Sequence, residues 1–123
     1  MVSVKLTSVL SSSIASTPPQ MFQITAVSTT SLSFSWQQPA IPNGAIIGYQ
    51  LSCQPPLEGI PIPEPLSPGP TARMAVLADL HPGVRYNCSI GALNSAVLSD
   101  LVYADGTTTE IGKLDITLRY MLL

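Results

Sequence analysis

Few residues in this 123-residue chain have side chains suited to chemistry. Its one histidine, His81, lies between Leu80 and Pro82, where a turn is expected, and a lone turn histidine is the pattern of a solvated side chain. The seven carboxylates (Glu58, Glu64, Asp79, Asp100, Asp105, Glu110 and Asp115) fall mainly in loops or at strand ends, with no pair in acid–base geometry. Catalysis needs a positioned nucleophile, acid, base or metal. No glycine-rich phosphate loop or histidine-containing metal motif occurs. The two cysteines, Cys53 and Cys88, fit no metal-ligand spacing and leave a disulfide open. Asn87-Cys88-Ser89 is the one Asn-x-Ser/Thr acceptor for a glycan. The reading is a protein without cofactor or metal, and not an enzyme.

The elements that carry these residues have a period of two. Leu32, Phe34 and Trp36 alternate with Ser31, Ser33 and Ser35, so one face packs and the other meets water. Phe22, Ile24 and Ala26 form a less regular strand before them. Ile47, Tyr49, Leu51 and Cys53 alternate with Gly48, Gln50, Ser52 and Gln54. Met74, Val76 and Leu77 carry the next strand into Leu80. Tyr86, Cys88, Ile90 and Ala92 alternate with Asn87, Ser89 and Gly91, which turns Asn87 outward where a glycan is tolerated. A last strand is expected around Leu101-Val102-Tyr103.

Breakers separate these strands. Pro39, Pro42 and the Asn43-Gly44 pair require a loop, and Asn94-Ser95 marks another. Residues 55–70 hold seven prolines and cannot form a central strand, because proline lacks the ladder donor. They are expected to be a stiff crossover between sheets, with a short edge strand near Gly59 to Ile62. Pro65-Leu66-Ser67-Pro68 also has the form of a polyproline ligand, the less favoured reading. Short strands divided by proline and glycine turns, with no capped helical spacing, read as a β-sandwich.

Composition narrows the partners. Charged residues are 10% of the chain against about a quarter in typical domains. Five scattered basic residues and a net charge of −2 exclude an electrostatic footprint for nucleic acid. No apolar run approaches the roughly 18 residues that span a membrane. Residues 1–17 are rich in serine and threonine and are expected to be unstructured, a truncation point or linker remnant in preference to a signal peptide.

The segments resemble, in order, a fibronectin type III domain. Pro18-Pro19 precedes the first strand. Ser33-Phe34-Ser35-Trp36-Gln37-Gln38-Pro39 is similar to the family's second strand with its buried tryptophan. Gly44-Ala45-Ile46-Ile47-Gly48-Tyr49-Gln50-Leu51 is similar to its third, and Leu80-His81-Pro82-Gly83-Val84-Arg85-Tyr86 to its turn into the sixth. The resemblance implies an all-β, immunoglobulin-like, seven-stranded antiparallel sandwich over residues 18–110, with 111–123 as a tail or fragment end. It implies a core containing Trp36, Tyr49, Leu51, Leu80, Tyr86 and Ile90, with the Tyr86 hydroxyl bonded to backbone near Leu80 to His81. It makes the strands of Cys53 and Cys88 antiparallel neighbours, yet the family generally lacks disulfides, so two free core thiols are expected. The Cys-Trp-Cys order of immunoglobulin domains is absent, since Trp36 precedes both cysteines. No Arg-Gly-Asp tripeptide is present.

The implied function is a non-catalytic interaction, adhesion or spacer module of a larger cell-surface or secreted protein. Its partners would be an unidentified protein and neighbouring domains, met through loops at Pro42, Asn43 and Gly44 and at Asn94 and Ser95. An intracellular cytoskeletal or signalling scaffold is the alternative.

Overall fold

Alternating apolar and polar residues become strands wherever a neighbour can cover the apolar face, and six such strands form among the described residues. The computed structural model describes residues 15–95 and 97–111. In chain order the strands are β1 (Gln20–Val27), β2 (Leu32–Gln37), β3 (Ile46–Gln54), β4 (Met74–Leu77), β5 (Arg85–Asn94) and β6 (Val102–Thr107). They make two antiparallel sheets, β1-β2-β4 and β3-β5-β6. Leu32, Phe34 and Trp36 point inward from β2, and Tyr49, Leu51, Cys53, Tyr86, Cys88, Ile90 and Ala92 meet them from the other sheet, all buried. The rings organise this interior: Phe22 stacks on Phe34 at 5.6 Å, and Trp36 lies tilted against Tyr49 at 5.5 Å.

The proline-rich crossover differs from expectation in where it pairs. No strand forms near Gly59 to Ile62. Pro61, Pro63 and Pro65 remove every second donor along this segment, which leaves it at most one side for pairing. Leu66 keeps its N–H and exchanges two backbone hydrogen bonds with Leu51, at 2.8 and 3.0 Å, while Pro68 accepts from the Tyr49 N–H at 2.9 Å. The expected seventh strand is thus reduced to a single bridge on the edge of β3. That pairing engages the Leu66 and Pro68 backbone that a polyproline ligand would present. Gly48 suits that close approach, because a Cβ there would stand 3.1 Å from the Pro68 carbonyl oxygen and would press on it.

Individual residues of two strands face the other way from what their apolar character indicates. A register shift between Ile46 and Gly48 turns Ile47 out to 52% exposure. In β4, Met74 and Val76 face solvent, and Ala75 and Leu77 face the core. Pairing with Ser33 and Ser35 of β2 sets that choice, since residues directly opposite share a face. The N-terminal segment is tied down at its end. Ser16 is buried and the Thr17 N–H donates to the Ile41 carbonyl at 2.9 Å, so the expectation of an unstructured 1–17 fails there. Residues 1–14 and the tail from 112, expected to be unstructured and a fragment end, lie outside the described residues.

Candidate functional site: the loop end of the sandwich

Three connections and the incoming chain converge at one end of the sandwich. They are the β2–β3 loop, the β5–β6 loop, the segment entering β4, and residues 15–19. Asn94, the last residue of β5, joins the first two. Its Nδ2 donates to the carbonyls of Pro42 and Asn43 at 3.3 and 3.4 Å, and its Oδ1 accepts from the Val97 N–H at 3.0 Å. Asn43 adopts a left-handed φ of 54°, which asparagine tolerates, and its Nδ2 reaches the Ala15 carbonyl at 2.6 Å. Gly44 follows at φ 116°, a region open mainly to glycine. The Asn43-Gly44 signal is therefore a turn held on both sides by side-chain amides.

Of the expected contact residues, Asn43, Gly44 and Ser95 are exposed and Pro42 is half-buried. Asn94 is different, only 1% exposed, because its amide is turned in to hold the loops together. The exposed surface at this end includes apolar side chains the sequence reading did not single out: Ile41 at 56% and Val97 at 42%.

Arg73 fixes the same end from the other sheet. Its Nη1 donates to the Ala72 and Pro70 carbonyls and to the Tyr49 hydroxyl, and its Nη2 to Gln38 Oε1 at 3.1 Å. Its guanidinium carbon stands 6.0 Å from the centre of the Tyr49 ring, at the outer limit of a cation–π contact. Arginine here reads as a lone charge in sequence, and only its fan of acceptors reveals its role. Trp36 beneath has no hydrogen-bond partner for its indole N–H among the described residues, contrary to the expectation for a buried tryptophan.

At the opposite end the tyrosine corner forms as expected. The Tyr86 hydroxyl accepts from the His81 N–H at 3.0 Å. Thr108, buried and unforeseen, completes it by donating to the His81 carbonyl at 2.6 Å and accepting from the Val84 N–H at 3.0 Å. His81 itself is exposed. The other expected core residues, Trp36, Tyr49, Leu51, Leu80 and Ile90, are each 4% exposed or less.

The cysteines correct the sequence reading. Cys53 and Cys88 are joined, with Cα atoms 4.0 Å apart, where two free thiols were expected. The register explains it: they stand directly opposite across β3 and β5, inside the roughly 7 Å limit for a bridge. Asn87, next to Cys88, is exposed on the outer face of the sheet. Its Nδ2 donates to Asp105 Oδ1 at 2.7 Å, and Arg85 pairs with the other carboxylate oxygen at 2.8 Å.

Two antiparallel sheets, a tyrosine corner and a loop-bearing end define an immunoglobulin-like β-sandwich. The Fibronectin type III domain model matches residues 17–104, and the chain belongs to that family. It is 33% identical over 79 residues to cell adhesion molecule DSCAML1 of Gallus gallus, covering 64% of this chain and 4% of that protein. It is 32% identical over 85 residues to Tenascin-R of Rattus norvegicus, covering 69% of this chain and 6% of that protein. The chain thus spans a small fraction of the relatives it matches. In fold it is similar to the crystal structure of chicken CNTN1 FN1-FN3 domains, with a TM-score of 0.64 and 20% identity over 75% of this chain and 31% of that one.

Proposed function

We propose that this domain is a non-catalytic adhesion or recognition module, displayed outside the cell within a larger multidomain protein. The observation that carries the reading is the likeness to a cell adhesion molecule and a tenascin, of which it matches one small part. The Cys53–Cys88 disulfide supports it, because such bonds persist in oxidising compartments and are rare in the cytosol. The disulfide also weighs against the intracellular scaffold. Residues 18–110 are the functional unit in this reading, flanked by neighbouring domains.

Recognition is assigned to the loop end. Loops on a rigid scaffold are where sandwich domains carry binding surface. Here the Asn94 amide and the Arg73 fan pre-order the loops, so little ordering entropy remains to oppose a contact. Exposed Ile41 and Val97 supply apolar area between polar Asn43 and Ser95. The test is cell attachment to surfaces coated with the folded domain. Ile41→Ser and Val97→Ser should reduce attachment, while Arg85→Ala at the far end should leave it unchanged. Attachment insensitive to both loop substitutions would refute the assignment.

A further inference from the structure

We propose that Asn87 is an N-glycan acceptor that is modified before the Cys53–Cys88 disulfide closes, a proposal that rests on the extracellular reading. In the transfer, Asn87 Nδ2 bonds to the anomeric carbon of a lipid-diphosphate-linked oligosaccharide. The bond from that carbon to the diphosphate oxygen breaks, the lipid diphosphate leaves, and the amide gives up one proton to the transferase's base. One N–H remains on Nδ2.

The folded site accommodates that product. Asn87 faces solvent from β5, and the retained N–H is sufficient for its hydrogen bond to Asp105 Oδ1. Asp105 is itself held by Arg85, so the amide and the first sugar would have a defined orientation. Beside it lies a shallow concavity of about 210 Å³ lined by Gln54, Pro55, Pro56, Arg85, Asn87 and Asp105, open for the first sugar. Asn87 and Asn94 lie seven residues apart on the same strand, about 24 Å at the rise of an antiparallel ladder. A glycan there stands clear of the loop end.

The same fold closes the site to the transferase. An acceptor tripeptide must leave its ladder to enter an enzyme's active site. Asn87 is paired with Gln54 on one side and Asp105 on the other. The middle residue, Cys88, is bonded to Cys53, and the required hydroxyl residue, Ser89, is 9% exposed with its Oγ 3.4 Å from Ser52 Oγ. Transfer therefore competes with strand pairing, and the disulfide ends the competition.

Translation of the full chain, behind a cleavable leader, into microsomes tests both parts. Protease-protected chain should show an upward gel shift that a glycosidase removes and that Asn87→Gln and Ser89→Ala each abolish. Cys53→Ala, or added reductant, should raise the shifted fraction. Protected chain with no shift overturns the acceptor assignment. A shifted fraction unchanged by Cys53→Ala and by reductant overturns the order of events. A protected, disulfide-bonded, unshifted chain discards the glycan alone, since the bridge formed in the oxidising lumen is what the extracellular reading requires.

Discussion

Thr108 donates to the carbonyl and Tyr86 accepts from the N–H of one turn residue, His81, so two buried hydroxyls, one in β5 and one just past the end of β6, hold the two peptide units that flank it. Neither hydroxyl can reach bulk water as an alternative partner, since Tyr86 and Thr108 are both fully buried. Tyr86→Phe leaves the His81 N–H without its partner, and Thr108→Val strands both the His81 carbonyl and the Val84 N–H. Each substitution should cost about 1–3 kcal/mol, the usual penalty for an unmatched part-buried polar group. Because they share a turn, the double variant should depart from additivity by about 0.5 kcal/mol or more. Urea unfolding of the four proteins closes the cycle, and strict additivity would mean that the two hydroxyls act independently.

The disulfide closes a loop with a sequence separation of 35. Chain entropy alone assigns such a crosslink about 4 kcal/mol, and measured values commonly fall at 2–4 kcal/mol. The Cys53→Ala/Cys88→Ala double variant should lose stability in that range. It should remain folded, because Trp36, Tyr49, Leu51, Tyr86 and Ile90 still fill the interior. Trp36 is the only tryptophan and is 1% exposed, so its emission should be blue-shifted in both native proteins and move red on unfolding. A double variant as stable as the parent would show that the bridge constrains little in the unfolded chain.

The Arg85–Asp105 ion pair should contribute little by comparison. Its side chains are 70% and 40% exposed, and exposed pairs of this kind typically give about 0–1 kcal/mol. Arg85→Ala should therefore move the unfolding midpoint only slightly. A loss well above that range in a salt-dependence series would indicate a wider charge network than this one pair.

What could be foreseen was set by how locally each feature is encoded. Leu32, Phe34 and Trp36 alternate with serines, so only one face could turn inward, and it does. Tyr86 follows a Leu-His-Pro-Gly-Val-Arg turn that fixes its distance from His81 along the chain. Alternation from Tyr49, Leu51 and Cys53 assigns Ile47 to the interior, but the register shift between Ile46 and Gly48 gives that place to Ile46. Met74 and Val76 have larger apolar bodies than Ala75, yet the partners across β2 turned them outward. The disulfide depended on lateral register between strands distant in sequence. Thr108 and Arg73 belong to no periodic pattern, since each acts by reaching backbone carbonyls that only the fold brings near. Local patterns announced strands, and pairing between strands decided faces and bonds.

Asn94 is the residue on which the proposed recognition surface most depends, although it offers almost none of that surface itself. Asn94→Ala removes the donors to Pro42 and Asn43 and the acceptor for the Val97 N–H, so both loops lose their common anchor. Stability should fall by about 1–3 kcal/mol for the part-buried groups left unmatched. The more telling change is local: amide exchange should accelerate at Asn43 and Gly44 and in residues 97–99, while the β3 and β5 ladders around Leu51 and Ile90 stay protected. Asn94→Asp keeps the acceptor for Val97 and loses the donors, so it should loosen the β2–β3 loop and spare the β5–β6 loop. Attachment measured on the same two variants then separates their contributions. If recognition needs the loops held together, both variants lose it; if Val97 alone carries it, only Asn94→Ala does.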